Sequence, residues 1–292
     1  RSMWFDGDVS FENEYRHFYD RGVARTPDFH ETFLELRSAT GLRLNFGTAG
    51  SAILWLPFYA AGDAAAHVAA WLGHPVALDG YSFPYIAAVC YGSAVYGFLA
   101  IVLAMTAVRR LLPDAPPARQ AAGPALAVWL GTPLLFYMYV APPMSHAASA
   151  FAVAAFVAAW LRVRRAWTAG GLALLGALAA LMTMVREQDA FLAVGPAIDF
   201  AWTLVVRPRH APEDAGGAGL QPEDSGGAGL QPCPEGGQLP SPGRMLVNLA
   251  AGVASFAIVF LPQALAYLAL NGRILPARQV SRKMTWWSPH AL

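Results

Sequence analysis

The chain alternates between long apolar blocks and short polar connectors. Two of the blocks, PYIAAVCYGSAVYGFLAIVLAM (84–105) and AASAFAVAAFVAAWL (147–161), run almost without a polar position. No polar stripe recurs every three or four residues, so a helix built from either block has no wet face. A helix rises about 1.5 Å per residue, so about 20 apolar residues cross the roughly 30 Å hydrocarbon core of a bilayer. The pattern predicts six membrane spans, at about 84–108, 120–140, 146–162, 168–185, 190–206 and 246–270. A seventh apolar stretch, 47–72, is interrupted by Pro57 and Gly62 and carries Asp63 and His67. Its hydrophobicity permits crossing. Its broken middle and two ionisable groups favour an interfacial helix pair, because an ionised side chain at the bilayer centre is expensive. The predicted fold class is an all-α integral membrane protein, a multi-span helical bundle.

The connectors suggest sidedness. Arg109, Arg110 and Arg119 lie between the first two spans, and Arg162, Arg164 and Arg165 between the third and fourth. Arg207, Arg209 and Arg244 flank the loop after the fifth. Short loops rich in Lys and Arg stay in the cytoplasm. The alternate connectors APPMSH (141–146), REQD (186–189) and the tail from Asn271 are then extracytoplasmic. An interfacial 47–72 places residues 1–46 on that same face. The expected organisation is an extracytoplasmic acidic and aromatic loop (1–46), an interfacial helix pair with its loop (47–83) and five spans (84–206). A cytoplasmic loop (207–245), a sixth span (246–270) and the start of an extracytoplasmic loop (271–292) complete it. The 207–245 loop contains a tandem decamer, PEDAGGAGLQ (212–221) and PEDSGGAGLQ (222–231). With so few bulky apolar residues it is expected to be disordered and without catalytic role. Arg273, Arg278, Arg282 and Lys283 lie in the loop assigned to the outside. Either the sidedness is reversed or those cations have a task there.

Composition agrees with the pattern. Hydrophobic residues are 56% and charged residues 13%, with mean hydropathy +0.39, whereas a soluble domain carries about 25% charge. The net charge of +1 gives no reason to expect a nucleic-acid partner. Cys90 falls in an expected span and Cys233 in the Gly/Pro-rich loop, so no disulfide is expected. The sequence opens in a polar loop without an initiator Met and stops in another, so it is expected to be an internal piece of a longer chain.

Polar chemistry is concentrated in four places. The opening RSMWFDGDVSFENEYRHFYD sets Asp6, Asp8, Glu12 and Glu14 among six aromatic rings. A solvated loop with its rings in the interfacial belt explains the aromatics. Carboxylates this close together also suit a divalent cation, with Asp6 and Asp8 as its ligands. Alternatively one acid acts as a general base that its neighbour tunes, which makes Asp6, Asp8 and Glu14 the candidate catalytic residues. In PPMSHAAS (142–149), Ser145 suits a helix N-cap, and His146 can meet an anionic ligand or face water. In REQD, Arg186 ends an apolar helix on the face where cations are disfavoured, so it needs a partner, either Asp189 or an anionic ligand. In SRKMTWWSPH (281–290), Arg282 and Lys283 beside two Trp suit an interfacial anchor or a phosphate site. Asp199 stands alone within an expected span, with no evident partner.

The order of motifs resembles a known group. It runs W-F-D-G-D-x-x-F-x-N-E-Y from Trp4, N-F-x-x-x-x-S-A-I-L-W-L-P-F-Y (45–59) and D-G-Y-S-x-P-Y (79–85). G-T-P-L-L-F-Y-M-Y (131–139), P-M-S-H-A-x-S (143–149), R-x-Q-D (186–189) and W-x-S-P-H near the end continue it. These resemble bacterial inner-membrane glycosyltransferases of the GT-C superfold that use lipid-linked sugars, related to protein mannosyltransferases and aminoarabinose transferases. The resemblance implies inverting transfer of a hexose or pentose from a polyprenyl-phosphate donor to an extracytoplasmic acceptor. It also implies an acidic catalytic residue in the first external loop. External cations, here Arg282, Lys283 and Arg186, would stabilise the phosphate leaving group, where negative charge develops. Such sequences are expected to carry a further acidic motif slightly upstream of W-F-D-G-D. On that pattern Asp6 and Asp8 form a second, supporting or metal-binding motif. Two other classes stay open: a transporter or flippase with ionisable residues along a path, and a non-catalytic assembly subunit.

Overall fold

The structure is a computed structural model that describes residues 1–111, 118–205 and 241–276, with 118–122 described as backbone only. The described residues are helical apart from connectors and one isolated bridge between Arg37 and Arg43. A single-turn π segment (Ser2–Asp6) leads to α1 (Glu12–Asp20) and to short helical turns at Pro27–Phe29 and His30–Glu35. The apolar helices follow: α2 (Ala49–Trp71), α3 (Phe83–Leu111), α4 (Ala118–Gly131), α5 (Leu134–Tyr139), α6 (His146–Val163) and α7 (Ala169–Val185). A 3₁₀ segment (Glu187–Ala193) enters α8 (Val194–Val205), and α9 (Pro242–Asn271) closes the described chain.

Three of these helices, α3, α6 and α9, are long and apolar enough to cross a membrane, and α7 is an apolar helix of 17 residues. The protein is therefore a membrane-embedded helical bundle. The expected span at 120–140 is two helices, parted at Thr132–Pro133, where the proline cannot continue the ladder of the preceding helix. The expected span at 190–206 starts as a 3₁₀ segment and becomes α-helical at Val194.

Side-chain bonds give the bundle two distinct ends. Ser93 of α3 donates to the Pro142 carbonyl (2.6 Å) just before α6, and Arg110 donates to the Ala158 carbonyl (2.8 Å). α3 and α6 thus run in the same direction and deliver Arg109, Arg110, Arg162, Arg164 and Arg165 to one end. α9 starts at that end, where Asn248 donates to the Trp167 carbonyl (2.9 Å). It finishes at the other, where Thr40 donates to the Leu270 carbonyl (2.8 Å). α7 and α9 cross with backbones almost touching, since a Cβ on Gly176 would collide with the Gly252 carbonyl. Phe156, Trp167, Leu172, Leu175, Met182 and Phe200 form the core between α6, α7 and α8.

The 47–72 stretch forms one continuous helix, Ala49–Trp71, rather than a broken pair. Pro57 removes a single hydrogen bond without ending α2, because packing on α3 supplies what the ladder loses. Gly62 is no hinge. It lies against the Pro84 carbonyl and Ala88, where a Cβ would sit 2.8 Å and 2.9 Å away. The first turn of α2 is capped from outside the helix. Gln263 of α9, only 2% exposed, accepts from the Ala49 amide (2.6 Å), and Thr48 donates to the Val185 carbonyl (2.9 Å). These bonds pin α2 and the acidic segment to the end of the bundle where α7 and α9 finish.

Candidate functional site

The acidic opening folds around Arg1. Its guanidinium Nη1 pairs with Asp6 and, at 3.2 Å, with Glu14, while Nε donates to the Asp79 carbonyl (3.2 Å). The cation also lies over the Tyr81 ring, 4.9 Å from the centroid. His17 stacks on Tyr81 at 3.9 Å, and burial pushes the Tyr81 phenol up to about 12. Asp79 fixes the Tyr81 loop by accepting from the Tyr81 and Ser82 amides (2.8 and 2.9 Å) ahead of α3. Helical spacing explains the rest of the cluster. Asn13 and Glu14 stand in the first turn of α1, and the Asn13 amide donates to Asp6 Oδ2 (2.8 Å).

The four acids therefore have four different situations. Asp6 is exposed, with Oδ2 held by Arg1 and Asn13, and its carboxyl also lies within hydrogen-bond reach of Glu14. The Asn13 hydrogen bond, aided by the Arg1 charge, holds its carboxyl below the usual range. Glu14 is buried, and its Oε2 has no hydrogen-bond partner. Asp8 accepts from the Ser2 hydroxyl and the Ser10 amide, both at 3.0 Å, and so closes the turn that joins the π segment to α1. Glu12 belongs to a separate ion cluster with Arg16 (3.0 Å), Arg43 (3.0 Å) and Arg37 (3.5 Å). Hydrogen bonds from Arg43 and Arg16 pull Glu12 down to about 2. Asp6 and Asp8, the expected cation ligands, take different partners. Asp6 is already neutralised by Arg1, and Asp8 turns to the backbone. Among the described residues no group of three or more His, Cys, Asp or Glu side chains is arranged to hold a metal ion.

A second polar cluster lies at the same end of the bundle. Tyr15 of α1 donates to the Leu44 carbonyl (3.0 Å), four residues before Thr48, and Thr48 bonds the carbonyl of Val185, next to Arg186. Arg186 and His146 Nδ1 are 2.9 Å apart. Arg can only donate, so Nδ1 accepts and the ring carries its proton on Nε2. Tyr137 stacks on that ring at 3.8 Å. The expected pair of Arg186 with Asp189 does not form. Asp189 instead accepts from the Ser149 hydroxyl (2.6 Å), because Arg186 leaves α7 with extended backbone and turns toward α6. Glu187 accepts from the Tyr267 hydroxyl of α9. Among the described residues Arg186 has no carboxylate partner, so its charge and the His146 Nε2–H form a half-buried pair of donors. Ser145 stands at the N-cap position of α6 but makes no capping bond with its side chain.

Asp199 is not a lone intramembrane acid. It takes a two-pronged bond from Arg164 (2.9 Å to each oxygen) and a third from the Trp160 indole (2.9 Å), all at the Arg-rich end. Arg282, Lys283, Cys233 and the decamer repeat lie outside the described residues. Arg1, Asn13, Tyr81 and Tyr137 were not singled out from the sequence. Three of them stand inside quoted motifs, but only the fold brings them within reach of the acids and of His146. The chain matches no protein-family model, and comparisons with curated proteins and with solved structures return no match.

Proposed function

We propose that the protein transfers a sugar from a polyprenyl-phosphate donor to an acceptor hydroxyl at the end of the bundle that carries Asp6 and Arg186. The observation that carries this reading is the state of Asp6: a carboxylate in an exposed turn, one oxygen fixed by Arg1 and Asn13, beside aromatic rings. A carboxylate held in this way stays ionised and can take the proton of an approaching hydroxyl as the new glycosidic bond forms. Trp4, which is exposed and edge-on to Tyr59 at 6.1 Å, offers a face on which a sugar can stack. The bond from the sugar to the donor phosphate breaks in the same step, and negative charge grows on the leaving phosphate. Arg186 and His146 Nε2–H suit that charge. The lipid tail would lie along the apolar helices. Glu14 acts as a positioning residue by holding Arg1 against Asp6.

The placement of Asp199 also weighs against a transport path. A path requires ionisable groups at mid-depth, and this acid is instead locked into an ion pair at the Arg-rich end.

The test is reconstitution of the purified full-length protein in liposomes with a radiolabelled polyprenyl-phosphate hexose. Release of polyprenyl phosphate with transfer of label is expected. Asp6→Asn is expected to lower turnover by about 100-fold or more, the usual worth of a general base. Full activity in a stably inserted Asp6→Asn protein would remove this acid from the chemistry. Transbilayer movement of intact donor without release of label would favour a flippase.

A further inference from the structure

An apolar cavity of about 490 Å³ runs from Trp167, at the Arg-rich end, to Ala179 and Ala193, and Asp6 takes no part in its lining. Its walls include Phe156 of α6, Leu175 of α7, Phe200 of α8, and Leu249, Val253 and Phe256 of α9. That volume falls in the range of about 300–1,000 Å³ in which proteins hold small molecules. Val253 and Ala197 are exposed and line it, so it opens at the surface of the bundle.

Trp167 also lines this cavity. Its ring is fully buried, edge-on to Phe200 at 5.0 Å, and its indole N–H has no acceptor. Its backbone has φ 45°, a conformation that a bulky residue adopts at a cost. A donor buried without a partner is costly, and a small tilt of the ring toward the cavity would offer it to an entering ligand. Two cations lie close in sequence to this junction. Arg165 precedes Trp167 by two residues. Arg244 stands one helical turn before Asn248, whose amide bonds the Trp167 carbonyl. Both are exposed, and neither has a carboxylate partner among the described residues. Asp199 is already taken by Arg164.

We propose that this cavity binds one anionic glycerophospholipid of the surrounding membrane. Its phosphate sits between Arg165 and Arg244, an ester carbonyl meets the Trp167 indole N–H, and one acyl chain fills the apolar cavity. The order of chemistry along the wall, cation then donor then apolar surface, is the order along the lipid. Basic residues near a membrane edge attract anionic headgroups in the same way elsewhere.

The experiment is native mass spectrometry of the full-length protein in detergent, titrated with phosphatidylglycerol or with phosphatidylcholine of identical chains. One tightly held phosphatidylglycerol is expected, bound about tenfold better than phosphatidylcholine, as for one charge-assisted contact. Arg165→Gln with Arg244→Gln is expected to abolish that preference. Trp167→Phe, which keeps the ring and removes the donor, is expected to weaken both lipids by about two- to tenfold. Val253→Trp narrows the cavity from its exposed rim, where folding is little affected, and is expected to weaken both lipids. Equal binding of the two lipids to wild-type protein would overturn the headgroup assignment. Undiminished lipid binding by Val253→Trp and by a second filling variant, Ala197→Phe, would show that the cavity is not the site.

Discussion

Neighbouring acids in the opening segment differ more than their spacing suggests. Asp6 and Asp8 are two residues apart, yet one faces Arg1 and solvent while the other closes a turn. Asp8→Ala should therefore cost stability, about 1 kcal/mol for its lost bonds, and should lower the thermal midpoint without a specific loss of turnover. A variant of normal stability that lost all turnover would return Asp8 to the chemistry. Glu12 makes a different prediction. Its carboxyl is held at about 2 in the folded protein, against 4.5 for the free group, by Arg43 and Arg16. A depressed value stabilises the fold above the unfolded pKa, and that stabilisation fades as the pH falls through the folded one. The gap in thermal midpoint between wild type and Glu12→Gln should be steady at neutral pH and close between about pH 4.5 and 2. A gap that persists at pH 2 would mean that Glu12 acts through packing rather than charge.

Between elements, the decisive contact is the crossing of α7 on α9. Gly176 and Gly252 let two backbones approach where any side chain would collide, and small residues serve this purpose in membrane bundles generally. Gly176→Ala is expected to cost about 1–3 kcal/mol through overpacking, read as a lower melting temperature in detergent. Gly170 of the same helix is the control, because a Cβ there meets nothing within 4 Å. Equal melting temperatures for the two variants would show that the helices separate freely. The bond from Ala49 to buried Gln263 is a second junction of this kind, and it anchors α2 to the bundle.

For the whole molecule the prediction is topological. The acidic segment, the turn before α6 and the turn after α7 share one end, and the loop between α6 and α7 lies at the other. Single cysteines at positions 10, 143 and 188 should label from the same side of intact cells, and one at position 165 only after permeabilisation. The Arg-rich end should be cytoplasmic by the charge rule. Labelling of positions 10 and 188 from opposite sides would break the bundle end described here and the proposed site with it.

The sequence by itself determined that the protein is a membrane bundle, because repeated apolar runs long enough to cross a bilayer, with so few charges between them, leave no polar surface for water. It also marked most helix boundaries. Residues 146–162 and 168–185 were legible within a residue or two, since proline pairs, threonine caps and arginines end apolar runs in recognisable ways. It showed which segments hold polar chemistry, because ionisable residues are rare in such a chain. It could not show which acid meets which cation. Arg1 reaches Asp6 and Glu14 over short sequence distances, but the Asp79 carbonyl and Tyr81 that complete its shell arrive from beyond α2. Arg186 and Asp189 look like a natural pair in a four-residue turn, yet each finds its partner on α6, about 40 positions away. Asp199 looks isolated until α8 passes Arg164. The physical reason is the same in each case. Burial of apolar surface is non-directional and is written into composition, whereas a hydrogen bond requires two atoms within about 3 Å, and only the packing of distant helices sets that distance.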